Sequence, residues 1–157
     1  MKKIIKVAFL MLTVMLFACA CGGKKDKTVS IDAAKLAAEL NEKCVTSASL
    51  TAAADNVIKA TYFITDDQYA SGTAYLGTAA SVCEIAVITG KDETAAKAIL
   101  KLLENRVASQ KTSYSSYKPE EVPKLDAAIV KSNGNYALLC VCDDTAKAQE
   151  ILKSYGF

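Results

Sequence analysis

The stretch that most limits what this chain can fold into is its beginning. Met1–Lys6 carries three lysines, and the twelve residues Val7–Ala18 (VAFLMLTVMLFA) are almost wholly apolar. A run of that length is too short for a bilayer core, which needs about 20 residues, but it suits the apolar region of an export signal. Residues 1–18 are therefore expected to be a signal peptide. Residues 19–30 (CACGGKKDKTVS) are expected to form a flexible tether, and residues 31–157 a single domain. Those 127 residues suffice for one core that buries roughly two-thirds of the unfolded surface. With 52% apolar residues, 7 Gly and 2 Pro, the chain is not a disordered one.

The cysteines that follow the apolar run carry the next inference. Leu16-Phe17-Ala18-Cys19-Ala20-Cys21-Gly22-Gly23 resembles the lipobox of bacterial lipoproteins, with Leu three before a Cys and a small residue just before it. The resemblance implies diacylglyceryl transfer to the Cys sulfur, then cleavage in front of that Cys. Cys19 has the better upstream context and is favoured; Cys21, followed by two glycines, is the alternative. An ordinary secretory signal cut near Ala18 or Ala20, or an uncleaved anchor, remains open. Two acyl chains anchor a protein stably where one binds marginally. The expected location is thus the extracytoplasmic face of the cell membrane, held by lipid. As a coil, the eleven residues from Ala20 to Ser30 would span about 18 Å.

Charge and composition exclude several functions. The formal net charge is +2, but Lys2, Lys3 and Lys6 belong to the leader, and without them 16 basic residues oppose 17 acidic ones. A mature chain near −1 has no electrostatic hold on nucleic acid. The absence of His removes His-based triads, His metal sites and His pH switches. No phosphate-binding glycine loop, calcium-loop spacing or paired-carboxylate site is present, so no cofactor and no metal are expected.

The domain reads as α+β. Ser30 or Asp32 is expected to cap a helix whose Ala33, Leu36, Ala37, Leu40 and Cys44 share one face. Leu50–Ile58 reads as a short helix, and Ala60–Ile64 is strand-like but poorly alternating. Gly72–Thr78 and Cys83–Thr89 read as strands. Asp92 or Thr94 starts a long helix to about Ser113, and Thr112–Lys124 is expected to be a loop with a helical turn at Pro119–Leu125. Ala127–Lys131 and Tyr136–Cys142 form a second strand pair across Ser132–Asn135, and a last helix ends at Gly156. Glu84-IAVITGKDETAAKAILKLL and Tyr136-ALLCVC-DDTAKAQEILKSY look alike, through internal duplication or through the shared binary pattern of any strand–strand–helix unit. The expected architecture is two-layered: an antiparallel sheet of about four strands with helices on one face, the strand–strand–helix unit occurring twice after an N-terminal helix.

Few residues carry chemistry. Cys140 and Cys142 lie two apart on one strand face, with Cα atoms about 6.5–7 Å apart, so a bridge between them is disfavoured. Cys44, Cys83, Cys140 and Cys142 read best as small buried hydrophobes, with structural disulfides, reactive thiols or metal ligands as alternatives. Arg106 is the only arginine beside 18 lysines. It lies within about 40° of the centre of the long helix's apolar stripe, with Gln110 nearly on it. Two readings stand: Arg106 pairs a carboxylate such as Glu84, or it clamps a ligand's carboxylate in a site lined by Tyr114 and Tyr117. Glu84, Arg106, Gln110, Tyr114 and Tyr117 are thus the candidate cluster, either structural or binding. No catalytic residue is identified.

Together the lipobox, Glu84-Ile85-Ala86-Val87, Arg106, Gln110, Tyr117-Lys118-Pro119 and Gly134-Asn135-Tyr136 give the chain a family likeness. It resembles the small lipoproteins of low-GC Gram-positive bacteria grouped as domain of unknown function 4358, well over residues 72–157 and loosely over 31–71. The resemblance implies an acidic residue entering a strand, a helix ending in Arg with Gln soon after, a Tyr-x-Pro loop, a Gly-x-Tyr hairpin and a last helix. It implies no activity. Cys83, Cys140 and Cys142 are no part of that pattern, which favours their reading as buried hydrophobes. The expected function is a non-enzymatic, membrane-anchored module that binds another cell-envelope protein or a small ligand. Solute capture for a transporter is the alternative, and a thiol-dependent envelope enzyme ranks below it. A pocket holding Arg106, Tyr114 and Tyr117 would favour a small ligand, and a flat Tyr-bearing surface a protein partner.

Overall fold

The computed structural model describes residues 30–157. The signal peptide and both candidate lipidation residues, Cys19 and Cys21, lie outside the described residues, as does the tether up to Val29. Helix α1 (Ala33–Cys44) starts at Asp32, whose carboxylate accepts the Lys35 N–H at 2.9 Å. Strand β1 (Thr51–Ala52), helix α2 (Asp55–Tyr62), and strands β2 (Tyr69–Leu76) and β3 (Glu84–Gly90) follow. Helix α3 (Glu93–Tyr117) is capped by Asp92, whose side chain accepts from the Ala95 N–H at 2.7 Å. A 3-10 turn (Pro119–Glu121), helix α4 (Val122–Asp126), strands β4 (Ile129–Asn133) and β5 (Tyr136–Val141), and helix α5 (Thr145–Ser154) complete the chain. Asp144 caps α5 through the Lys147 N–H at 2.9 Å.

The strands form one antiparallel sheet in the order β1-β2-β3-β5-β4. The α+β class and the antiparallel sheet are as expected, but β1 adds a fifth strand. The helices also lie on both faces rather than one. Every residue from Glu84 to Ile88 is buried, which a strand with one wet face could not show. Pleating sends Ile85, Val87, Leu138 and Cys140 to a core with Leu36 and Leu40 of α1 and Leu152 of α5. Ala86, Ile88 and Leu139 point the other way, against Ile58 and Tyr62 of α2 and Ile99 and Leu103 of α3. The β4–β5 turn needs Gly134, whose φ of 55° sits at the first central position of a two-residue loop.

The two similar segments are not a structural repeat. A two-fold axis through the β3–β5 pair, normal to the sheet, would exchange the hairpins and leave α3 and α5 on the same face. They lie on opposite faces, so the two strand–strand–helix units have opposite hand. Their likeness is the binary pattern each unit needs.

Two local expectations are also corrected. Ala60–Ile64 is not a strand, because Ala60–Tyr62 completes α2 and Phe63 ends it in the left-handed region at φ 57°, ψ 35°. Residues 112–117 are not a loop but the last turns of α3. There the hydroxyls of Thr112, Ser113 and Ser115 donate to the carbonyls four residues back, at 3.2, 3.2 and 2.7 Å, so these polar side chains find partners within the helix.

Candidate functional site

Arg106, Gln110 and Tyr114 follow one another at a spacing of four along α3, on the stripe that continues from buried Ile99 and Leu103. Where the helix passes the start of β3, that stripe turns polar and meets Glu84. The Glu84 carboxylate, 4% exposed, accepts from Arg106 Nη2 at 2.9 Å, from Arg106 Nε at 3.3 Å and from Gln110 Nε2 at 3.1 Å. Arg106 keeps 34% of its side chain exposed. Burial works against the guanidinium charge, but Glu84 outweighs it and the Arg106 pKa moves up. Tyr62 lies beneath; burial, then the Glu84 charge, pushes its pKa well up. Its buried hydroxyl makes no hydrogen bond.

Tyr114 ties the helix to the β2–β3 loop, its hydroxyl donating to the Ala79 carbonyl at 2.9 Å. The Lys118 ammonium donates to the neighbouring Ala80 carbonyl. Tyr117 packs edge-on against Tyr114, ring centroids 5.9 Å apart, and is 70% exposed. Between the end of α2, the β2–β3 loop and α3 lies a cleft of about 500 Å³, whose lining includes Phe63, Thr78, Glu84, Arg106, Gln110 and Tyr114. The structure thus gathers Glu84, Arg106, Gln110 and Tyr114 at one cleft, with Tyr117 beside it through Tyr114.

Sequence reasoning missed Phe63. It lines the cleft at 81% exposure, in a backbone region that costs an L-residue about 1–2 kcal/mol. A left-handed phenylalanine at a helix end has no signature in the sequence, where glycine or asparagine would have marked the stop.

A second polar group, also unforeseen, lies around Lys124. Its ammonium contacts Asp143 at 3.0 Å, Glu121 at 3.1 Å and Ser47 Oγ at 2.8 Å. A Ser–Lys contact of this length is the geometry of an activated hydroxyl nucleophile, but that chemistry needs a neutral amine. Burial lowers the Lys124 pKa, yet the bonds to Asp143 and Glu121 outweigh it and the net shift is upward, so the lysine stays an ammonium. Asp143 also accepts the backbone N–H groups of Thr46 and Ser47 at 2.7 and 2.9 Å. Burial opposes its charge, but these donors hold its carboxyl well below the usual range. The group therefore clasps the segment after α1 to α4 and to the end of β5.

The four cysteines of the described residues are free and buried on the α1/α5 side. Burial pushes Cys44 up to about 11. The neighbouring Cys142 thiol, then burial, pushes Cys140 well up, and Cys140 in turn lowers Cys142. Among the described residues, no group of three or more Cys, Asp or Glu side chains could hold a metal ion.

The cleft and the start of the described chain lie at opposite ends of the sheet. Glu84 pairs with Val141 at one end of β3–β5, and Thr89 with Tyr136 at the other. The Ile31 N–H donates to the Tyr136 hydroxyl at 3.2 Å. Five residue steps of strand separate the two ends, about 17 Å.

Comparison with known proteins finds no match among curated proteins and none among solved structures. The model of one family, the domain of unknown function DUF4358, matches residues 43–142, from the end of α1 through β5 and including every residue of the candidate cluster. Covering well over half of the chain, that match places the protein in the DUF4358 family.

Proposed function

We propose that this protein is a lipid-anchored module on the outer face of the cell membrane that binds a small ligand of the cell envelope in the Phe63–Arg106–Tyr114 cleft and catalyses no reaction. The observation that carries this reading is Phe63: a large aromatic side chain left in water, on a strained backbone, at the wall of a cleft. Strain and exposed apolar surface both cost stability, and they persist together where a ligand uses them. The cleft volume of about 500 Å³ is that of small-molecule sites, roughly 300–1,000 Å³, which favours a small ligand over a protein partner. Burial of the four thiols speaks against thiol catalysis, which needs an accessible thiolate. Solute capture on behalf of a transporter would use the same cleft.

The test is equilibrium dialysis of the full-length protein, in phospholipid nanodiscs, against the low-mass fraction of a digested cell envelope. Retained compounds are read by mass spectrometry. The wild type should concentrate a compound that Phe63→Ala retains at least tenfold less. No retention by the wild type, or equal retention by the variant, refutes the reading.

A further inference from the structure

Resting on the proposal that the cleft binds a small ligand, the chemistry of its lining identifies the ligand's class. The only charges among its lining residues, Glu84 and Arg106, pair with each other, so the cleft presents no net charge to a visitor. An anion could reach only the Nη1 edge of a guanidinium whose charge the Glu84 carboxylate already offsets. A cation would meet a Glu84 whose oxygens already accept from Arg106 and Gln110. Neither ion finds an unpaired countercharge to offset its own desolvation. The polar capacity that remains is neutral in kind. Arg106 spends Nε and Nη2 on Glu84, and Gln110 spends Nε2. The Nη1 donors and the amide Oε1 acceptor have no partner among the described residues. Thr61 and Thr78 add hydroxyls to the lining, whereas the Ser81 hydroxyl is already bonded to Glu121 and to the Cys83 N–H.

Beside these stand aromatic faces, Phe63 and Tyr114 on the lining and Tyr117 packed against Tyr114. A purely apolar ligand would bury the amide and guanidinium valences unmet, costing about 1–3 kcal/mol for each unsatisfied group. An extended peptide would look for a free strand edge. Here the strand ends that border the cleft are already paired, Leu76 with Thr51 and Glu84, and Glu84 with Val141. A pyranose ring satisfies both halves of the lining. Its C–H face lies against an aromatic ring, and its hydroxyls both donate and accept at an amide and a guanidinium. We infer that the cleft is a saccharide site, selective for neutral sugars over charged ones, with Phe63 as the stacking platform and Arg106 and Gln110 as the hydroxyl readers.

Calorimetric titration of the full-length protein in nanodiscs tests this. The probes are three neutral tetrasaccharides (tetra-N-acetylchitotetraose, cellotetraose and maltotetraose), a tetragalacturonate as the anionic control and a neutral tetrapeptide. At least one neutral tetrasaccharide should bind, and at least tenfold more tightly than the galacturonate. Phe63→Ala should weaken that binding tenfold or more, while Phe63→Trp, which keeps a stacking face, should retain it within about threefold. Thermal melts of both variants establish that they are folded. Binding by none of the three neutral sugars, tighter binding of the galacturonate or the peptide, or indifference to Phe63→Ala overturns the assignment. If no sugar binds while the dialysis above still yields a Phe63-dependent compound, the saccharide class fails and the cleft reading survives; if both fail, the cleft reading falls as well.

Discussion

Phe63 holds a backbone conformation that glycine holds at lower cost, and its ring gains little from the fold at 81% exposure. Phe63→Gly should therefore raise stability, by about 0.5–1 kcal/mol, since relief of left-handed strain exceeds the extra chain entropy of glycine. The same change should abolish ligand retention. A thermal melt and the dialysis experiment, read together, check both signs. Glu84 and Arg106 make the opposite kind of residue pair. Arg106→Ala leaves a carboxylate buried with only Gln110 to satisfy it, and should cost about 3 kcal/mol in urea unfolding. Glu84→Ala leaves a guanidinium that is already a third exposed and that water can partly serve, so it should cost less, about 2 kcal/mol. This contact was half legible in the sequence, because helical periodicity places Arg106 and Gln110 on the core side of their helix but leaves Glu84 and a ligand's carboxylate as alternative partners. Phe63 was not legible, because the positive φ it adopts leaves no mark on residue type.

At the scale of elements, α3 joins β3 with very little room. A Cβ added at Gly90 would lie 2.6 Å from the Ala96 nitrogen and 3.0 Å from the Asp92 carbonyl oxygen. Both are backbone atoms that a side-chain rotation cannot move. Gly90→Ala should displace the start of α3 and lower stability by roughly 2–3 kcal/mol, seen as a lower melting temperature. The Lys124–Asp143 clasp joins three elements and gives the protein an acid sensitivity. The folded-state pKa of Asp143 lies below its unfolded value, so its contribution is complete above about pH 4 and is lost as pH falls through the folded value. Unfolding free energy should decline below pH 4, and Asp143→Asn should flatten that decline while costing about 2–4 kcal/mol at neutral pH. Chemical denaturation at pH 3 and pH 7 measures both. Ser47, Lys124 and Asp143 are too far apart in sequence for any local pattern to join them. By contrast, the hairpin at Gly134 and the acidic caps of the helices were plain, because turn and cap chemistry acts over a few residues.

Across the whole molecule, the layer count was written in the strand pattern, yet the expectation of helices on one face passed over it. Glu84-Ile85-Ala86-Val87-Ile88 is a continuous run, and a run without alternation belongs to a strand covered on both faces. Two such strands at the centre of the sheet required helices on both sides, and the similarity of the two halves masked the fact that they turn in opposite senses. The proposed anchor is tested by growth with labelled palmitate. Cys19→Ala should lose the label, whereas Cys21→Ala should keep it.

Ser30 leaves the domain beside Tyr136, and the cleft opens some 17 Å away at the other end of the strands. Under the proposed anchoring at Cys19, the chain enters the domain at the end of the sheet opposite the cleft, so the domain itself stands between the two. Capture and attachment then become mechanically independent. Lengthening the tether with Gly-Ser repeats should leave intrinsic affinity unchanged and alter only the depth of the envelope that one molecule can sweep, as a longer mooring line widens the circle of a boat without changing its hull.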